Sequence, residues 1–463
     1  MGCSGNLCKM VKSNETLSIT IQKDPIKTGL NIKPSYFILK NESNFSDIYR
    51  LGALLSSGSK EVRICFNRET NEKKAVKIFQ KTGKNRDEIL TQISILRCLD
   101  HPNIVHIYEY FENPTRIHLL MEYCGGGELA STLLKRKDLQ EFECVKYVKQ
   151  ILQALSYMHE NGIVHRNLRP EHILLEDQSQ YAEIKIVGFG SACDIVSSME
   201  EITCIPQYCS PEMLQKQYNE LTDIWNLGII AYLLFFGKLP YQDSESLKEF
   251  GLSQCPRNQP QENTSENFFS KIFCKAPDRL SAIEALTHPW IQNSSGESQN
   301  SINLSKVLEN LSKFHYSSKF NQAISTFIVT QCVNNQKNKE LTQVFKALDK
   351  DGNGKISKGE LVEYFSSEYE QEKAEMIAKK ILDNLDADEN GCIDYTEFLA
   401  ASIDRSELWS KENMKKAFAM MEKEINESLL LEGGTNNLEC RSEEEKQLWS
   451  EIMKNYKKAD DCL

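Results

Sequence analysis

Apolar and polar positions follow different patterns along this chain. From about Tyr49 to Asn293, short β-branched runs such as Ala75-Val76-Lys77-Ile78-Phe79 alternate with helical periods such as Ile89, Ile93, Ile95 and Leu96. That mixture predicts one large α+β domain, placed at 46–293. Residues 1–45 ahead of it are polar and mixed, which predicts a mobile lead-in. Gln292 to Ser301 is rich in Ser, Asn and Gln and suits a linker. Leu304, Val307, Leu308 and Leu311, then Phe320, Ile324, Phe327 and Ile328, recur at three and four, predicting amphipathic junction helices over 301–335. From 336 to 463, short helical periods alternate with Asp/Asn/Gly loops, an all-α pattern. The longest apolar run, Leu227 to Phe236, is shorter than the roughly 20 residues of a membrane span, so no transmembrane segment is expected.

Charge sharpens this division. The 463 residues hold 66 acids and 55 bases, net −11. Glu340 to Leu463 alone carries 29 acids against 17 bases, net −12, so everything upstream is near neutral at +1. With no long basic tract interleaved with aromatics, nucleic acid is not an expected partner. The 15 cysteines are odd in number and form no C-x-x-C pair, which indicates neither a disulfide framework nor a zinc site and suits a reducing, intracellular setting. The opening Met-Gly2-Cys3-Ser4-Gly5-Asn6 resembles an N-myristoylation signal with an adjacent palmitoylation cysteine, although Asn6 replaces the usual Ser or Thr. One acyl chain binds membranes only marginally, so Cys3, with Cys8 in reserve, would be the second anchor. The expectation is a cytoplasmic protein tethered to the cytoplasmic face of a membrane.

The acidic tail contains two tandem loops with calcium-binding spacing. In the first, Asp349, Asp351, Asn353 and Ser357 offer oxygens at positions 1, 3, 5 and 9, and Gly354 makes the turn at 6. Lys355 gives its backbone carbonyl at 7, and Glu360 clamps at 12. The second repeats the pattern with Asp386, Asp388, Asn390, Gly391, Cys392 (carbonyl only), Asp394 and Glu397. Hard oxygen ligands in this number select Ca²⁺, so two sites are expected, with Ile356 and Ile393 bridging the loops as a short ladder. Two bound ions would bring the formal charge from −11 to −7. A third approach at Lys411 to Met421 lacks its loop glycine, and Glu443 to Tyr456 looks like a fourth entering helix without a loop.

The α+β region carries a further ordered set. Ala75-Val76-Lys77, His101-Pro102-Asn103-Ile104, Met121-Glu122-Tyr123-Cys124, Ser210-Pro211-Glu212, Asp223-Ile224-Trp225-Asn226-Leu227-Gly228, Arg279 and His288-Pro289-Trp290 occur in sequence. In them residues 49–293 resemble the calcium/calmodulin-type Ser/Thr protein kinases, and with the calcium loops the whole chain resembles a calcium-dependent protein kinase. The resemblance implies an α+β bilobal protein-kinase fold followed by an all-α EF-hand domain.

Against that family's pattern, the chemical positions have changed. Aligned on Val62, the three glycine positions of the phosphate loop hold Leu55, Ser57 and Lys60. The C-helix glutamate position holds Gln92, with Glu88 one turn earlier. His165-Arg166-Asn167-Leu168-Arg169-Pro170-Glu171-His172 stands where H-R-D-L-K-P-E-N belongs. Asn167 therefore replaces the base aspartate, Arg169 the phosphate lysine and His172 the metal-binding asparagine. Val187-Gly188-Phe189-Gly190 stands for the D-F-G region, so Gly188 replaces the metal-binding aspartate, and Ile205 replaces the threonine that braces the base. No working catalytic residue is expected. ATP and Mg²⁺ become doubtful cofactors, with Lys77 and the hinge residues Glu122 and Cys124 as the remaining candidate nucleotide contacts.

The function this implies is a calcium-sensing pseudokinase that works as a scaffold or allosteric regulator. Ca²⁺ would open the EF-hand pair toward the junction helices and so engage a protein partner. The competing expectation is an active calcium-dependent Ser/Thr kinase with atypical residues. A third is a calcium buffer with a vestigial kinase domain.

Overall fold

The computed structural model describes residues 9–13, 16–20, 32–57, 61–82, 85–135, 139–179, 182–196, 199–241, 264–293, 307–308, 310–311, 314, 319–332, 339–367, 369–386, 390–411, 413–414 and 416–417. Two compact units emerge, one drawn from residues 39–300 and 349–354, the other from 1–38, 301–348 and 355–463. The acylation signal, the glycine-loop positions Gly58 to Lys60, Asp388, and the third and fourth EF-hand-like segments beyond Ala417 lie outside the described residues.

In the first unit, β3 (Leu39–Asn41), β4 (Tyr49–Ser57), β5 (Glu61–Asn67), β6 (Lys73–Gln80), β7 (Ile107–Glu112) and β8 (Arg116–Met121) form one sheet in the order β3-β7-β8-β6-β5-β4. Only β3 runs parallel to its neighbour. The central strands β6 and β8 bury most of their residues, whereas the edge strand β4 leaves Leu51 and Leu54 exposed. A short turn, α1 (Phe45–Ile48), caps one core cluster with Tyr49, Val76, Ile78, Phe111 and Leu120. Helix α2 (Arg86–Arg97) carries Ile89, Ile93, Ile95 and Leu96 inward, as their spacing predicts.

The rest of this unit is mainly helical. It holds α3 (Leu129–Lys135), α4 (Glu141–Glu160), α5 (Pro211–Leu214), α6 (Leu221–Phe236), α7 (Thr264–Ile272), α8 (Ala282–Leu286) and α9 (Pro289–Asn293). Gln140 and Glu143 cap α4 reciprocally, and α6 stops at Gly237, where φ is +68. Small ladders join β9 (Gly127–Glu128), β11 (Ile173–Leu175) and β12 (Ile184–Ile186), and β10 (Ile163–Val164) with β13 (Cys193–Asp194). Arg279 locks the base of this lobe. Its guanidinium pairs with Glu212 and donates to the backbone carbonyls of Leu221 (2.8 Å) and Ile272 (2.9 Å).

The second unit contains α10 (Lys319–Cys332), α11 (Lys339–Leu348), α12 (Lys358–Phe365), α13 (Gln371–Leu385), α14 (Tyr395–Ser402) and the short α15 (Arg405–Leu408). Strands β14 (Lys355–Ser357) and β15 (Cys392–Asp394) pair antiparallel with Ile356 opposite Ile393, as expected. Phe345 anchors the core against Tyr395 and Phe398, with ring centroids 5.2 and 5.3 Å away. Helix α10 packs on α14, and its residues 321–331 are buried throughout. Ile324, Phe327 and Ile328 point inward as expected, yet Asn321, Gln322, Ser325, Thr326, Thr330 and Gln331 are buried as well.

Within the expected mobile lead-in over residues 1–45, the described residues form local structure. A hairpin pairs β1 (Lys9–Ser13) with β2 (Thr16–Thr20), and Pro34–Phe37 forms a single 3-10 turn. Ile32, Phe37 and Ile38 are buried, Phe37 packs edge-on to Phe327 at 5.6 Å, and Gln331 donates to the Phe37 carbonyl at 2.7 Å. Three well-placed apolar side chains suffice to order a short segment that shows no periodicity. Among the described residues no helix is long and apolar enough to cross a membrane.

Candidate functional site: a remodelled kinase cleft and a calcium-loop pair

The scaffold that positions the cleft is intact. The Asp223 carboxylate, fully buried on α6, accepts backbone N–H bonds from His165 and Arg166, both at 2.8 Å, and lies 3.1 Å from His159 Nε2. These contacts hold Arg166 at φ +62, a left-handed conformation costly for a side-chain-bearing residue. Lys77 lies on β6 opposite Val62 with its ammonium 5.0 Å from the Phe79 ring centroid. Gln92 is buried on α2, whereas Glu88 is exposed to solvent.

The hinge side chains make contacts within the fold. Glu122 turns its carboxylate inward, accepting from His106 N at 2.7 Å and pairing with the buried Lys185 ammonium at 3.1 Å. Burial pushes the Cys124 thiol well up from its ordinary value. Lys185 was not singled out from the sequence, because its partner is 63 positions away and no local pattern links them.

Two histidines, His165 and His172, stand here with ring centroids 5.9 Å apart. His165 is fully buried, and that desolvation lowers its pKa from the ordinary value. Its Nε2 donates to the Val187 carbonyl at 2.9 Å, and its ring packs edge-on to Phe189 at 5.0 Å. Burial, helped by neighbouring His165, drops the His172 pKa to about 3. Its Nδ1 donates to the Asn167 backbone carbonyl at 2.7 Å. The Asn167 side-chain oxygen is buried without a hydrogen-bond partner among the described residues, so the base position presents neither a carboxylate nor a poised amide. Arg169 Nε lies 3.7 Å from Glu171.

Gly188 and His172 fit one another. Gly188 has φ +88, and a Cβ built on it would meet the His172 ring at 2.5 Å from Cγ and 2.6 Å from Cδ2. The imidazole thus occupies the space that any side chain at 188 would enter. Ile205, expected at the brace position, is exposed, and Thr203 instead donates its hydroxyl to the Arg166 carbonyl at 3.0 Å. Cys204 and Cys209 are disulfide-bonded, a single local bridge that the scattered cysteines of the sequence do not signal.

The first EF-hand loop gathers its carboxylates around one point. Asp349, Asp351 and Glu360 each offer a carboxylate oxygen within 4.8 Å of the others. Gly354 (φ +82) and Gly391 (φ +86) make the tight turns at position 6, each donating its N–H to the loop's first aspartate at 3.0 and 2.8 Å. Glu360 caps Ser357, and Glu397 caps Asp394. In the second loop Asp386, Asn390 and Asp394 are linked by hydrogen bonds, while Asp388 lies outside the described residues. This all-oxygen donor set fits a hard divalent cation. Across the ladder, Lys355 stands opposite Asp394, its ammonium 3.5 Å from that carboxylate.

Comparison with known proteins agrees with this architecture. The protein kinase domain family model matches residues 49–291, and the model for an EF-hand domain pair, a calcium-binding unit, matches 338–403. Calcium-dependent protein kinase 4 of Plasmodium falciparum (isolate 3D7) is 31% identical over 446 residues, covering 88% of this chain and 83% of that protein. Calcium-dependent protein kinase 5 of Plasmodium berghei (strain Anka) is 31% identical, covering 88% and 76%. Calcium-dependent protein kinase 3 of the same organism is 32% identical over 392 residues, covering 81% and 70%. A bilobal kinase fold, an EF-hand pair behind it and similarity running through both place this chain in the calcium-dependent protein kinase family.

Proposed function

We propose that this member of the family is a pseudokinase: a calcium-responsive scaffold or allosteric regulator that does not transfer phosphate efficiently. The observation that carries this reading is the contact of His172 with Gly188. Position 188 is closed to an aspartate while the imidazole stands there, so the two metal-ligand positions are lost as one packed unit. With Asn167 at the base position, none of the three side chains that would hold Mg²⁺ or accept the hydroxyl proton is a carboxylate. Each lost charge-stabilising group commonly costs a few kcal/mol, and about 1.4 kcal/mol is tenfold in rate. Lys77 persists, so nucleotide contact through Lys77 and the hinge at Glu122 to Cys124 is compatible with a structural role for ATP.

Calcium occupies both EF-hand loops in this proposal, and the pair then rearranges against α10 so that a protein partner is engaged. Acylation at Gly2 and Cys3 tethers the chain to the cytoplasmic face of a membrane.

The deciding experiment is a labelled-ATP transfer assay on the full chain and a Ser/Thr peptide, with Ca²⁺ or chelator, using Mg²⁺ and then Mn²⁺. The expected result is no incorporation above that of Lys77→Ala, alongside a calcium-dependent change in hydrogen exchange. Robust transfer in either metal would establish the active-kinase reading instead, and calcium binding without such a change would make the chain a buffer.

A further inference from the structure

The segment between Gly190 and Ser210 carries chemistry that neither the cleft nor the calcium loops use. Cys204 and Cys209 are bonded with their Cα atoms 5.6 Å apart, an ordinary disulfide span. The ring they close is fastened on two sides. Just before it, Thr203 donates to the Arg166 carbonyl at 3.0 Å, next to the base-position Asn167. At its far end, the Tyr208 carbonyl accepts from Asn226, and Ser210 Oγ shares a 2.9 Å hydrogen bond with Thr222, both partners lying on α6. Within the ring, Tyr208 N donates to the Ile205 carbonyl at 2.8 Å. Residues 205–208 thus form a turn closed at its base by sulfur.

We propose that Cys204 and Cys209 are a reversible thiol–disulfide pair, closed by hydroperoxides, that pins the Ile205 turn between the base-position loop and α6. Cys204 is the less covered of the two, at 9% exposure against 0%. As a thiolate its sulfur attacks one oxygen of hydrogen peroxide; the O–O bond breaks, a sulfenic acid forms, and hydroxide leaves, protonated to water. The Cys209 thiolate then attacks that sulfur, forming S–S and expelling hydroxide, which is protonated to a second water. Two thiols lose two electrons and two protons, and one peroxide becomes two waters. Glutathione reopens the pair through a mixed disulfide. With the bond cut, the turn keeps its hydrogen bonds and the packing of Cys204 and Cys209 against Met213 but loses its covalent tie, and so gains freedom.

The test uses the reduced full-length protein, treated with hydrogen peroxide, quenched, alkylated and mapped by peptide mass. Cys204 and Cys209 should become protected together, with the loss of two hydrogens, and dithiothreitol should release both. Glutathione buffers stepped from reduced to oxidised should carry the pair through a midpoint. Hydrogen exchange over residues 199–209 should slow by about tenfold on closure. Cys204→Ser should leave Cys209 open to alkylation and abolish the slowing. Protection of one cysteine alone, bonding to a different cysteine, a pair that stays closed in fully reduced glutathione, or exchange indifferent to closure would each overturn the proposal. The mass mapping needs no variant, and the result is independent of whether phosphate transfer occurs.

Discussion

At the scale of single residues, the cleft is altered by substitution and also by fit. Gly188→Asp alone drives new atoms into the His172 ring and should destabilise the kinase domain by about 1–3 kcal/mol, read by denaturant unfolding. Adding His172→Asn to that variant should return part of the loss, because the ring clash is gone while the left-handed backbone at φ +88 still strains any side chain. His172 also predicts a pH effect. Its folded pKa of about 3 lies below the ordinary value of 6.5, so its contribution to stability is fully present above pH 6.5. Below pH 6.5 the unfolded chain takes up a proton that the folded state refuses, and stability falls by about 1.4 kcal/mol per pH unit toward pH 3. In His172→Asn the stability curve between pH 6.5 and 5 should be shallower; an unchanged slope would show that the ring is not held neutral. The absence of both carboxylates was legible in the residue letters at 167 and 188. Their packing was not, since the fit of His172 against Gly188 depends on a φ of +88 and on two loops meeting in space.

Among elements, legibility followed periodicity. The inward residues of α2 and the Ile356–Ile393 ladder were readable because spacing alone specifies them. The burial of Ile32, Phe37 and Ile38 was not, because three apolar residues in a polar stretch have no period to detect. Nor was the ion pair of Lys355 with Asp394, which exists only because β14 and β15 set position 7 of one loop opposite position 9 of the other. That pair has a measurable consequence. A fixed ammonium beside Asp394 competes with an arriving cation, so Lys355→Ala should tighten the weaker calcium site by up to about fivefold, as seen by calorimetry of the full chain. The gain should shrink at high salt, where an ammonium at 24% side-chain exposure is already screened. Unchanged or weaker binding would mean that the lysine helps to shape the loop.

Across the whole molecule, the acidity is concentrated where calcium chemistry sits, and the near-neutral remainder is stabilised without it. Calcium in excess should therefore raise the melting temperature of the EF-hand unit, with about 2.7 kcal/mol per site at a hundredfold excess over the dissociation constant, and shift the kinase unit less. Arg279→Ala should do the reverse, costing the kinase unit about 3–5 kcal/mol by stranding Glu212, with calcium binding intact by calorimetry. A single transition that shifts equally in both experiments would contradict this division. The 14-residue helix α10 bears on the same question. Its residues 321–331 are buried, yet Thr326 and Thr330 donate their hydroxyls to carbonyls of their own helix, those of Gln322 and Thr326. Those polar groups keep their partners wherever the helix goes. If it were released, water would meet amides and hydroxyls as well as hydrocarbon, so the opened chain should stay in solution where an all-leucine helix would aggregate.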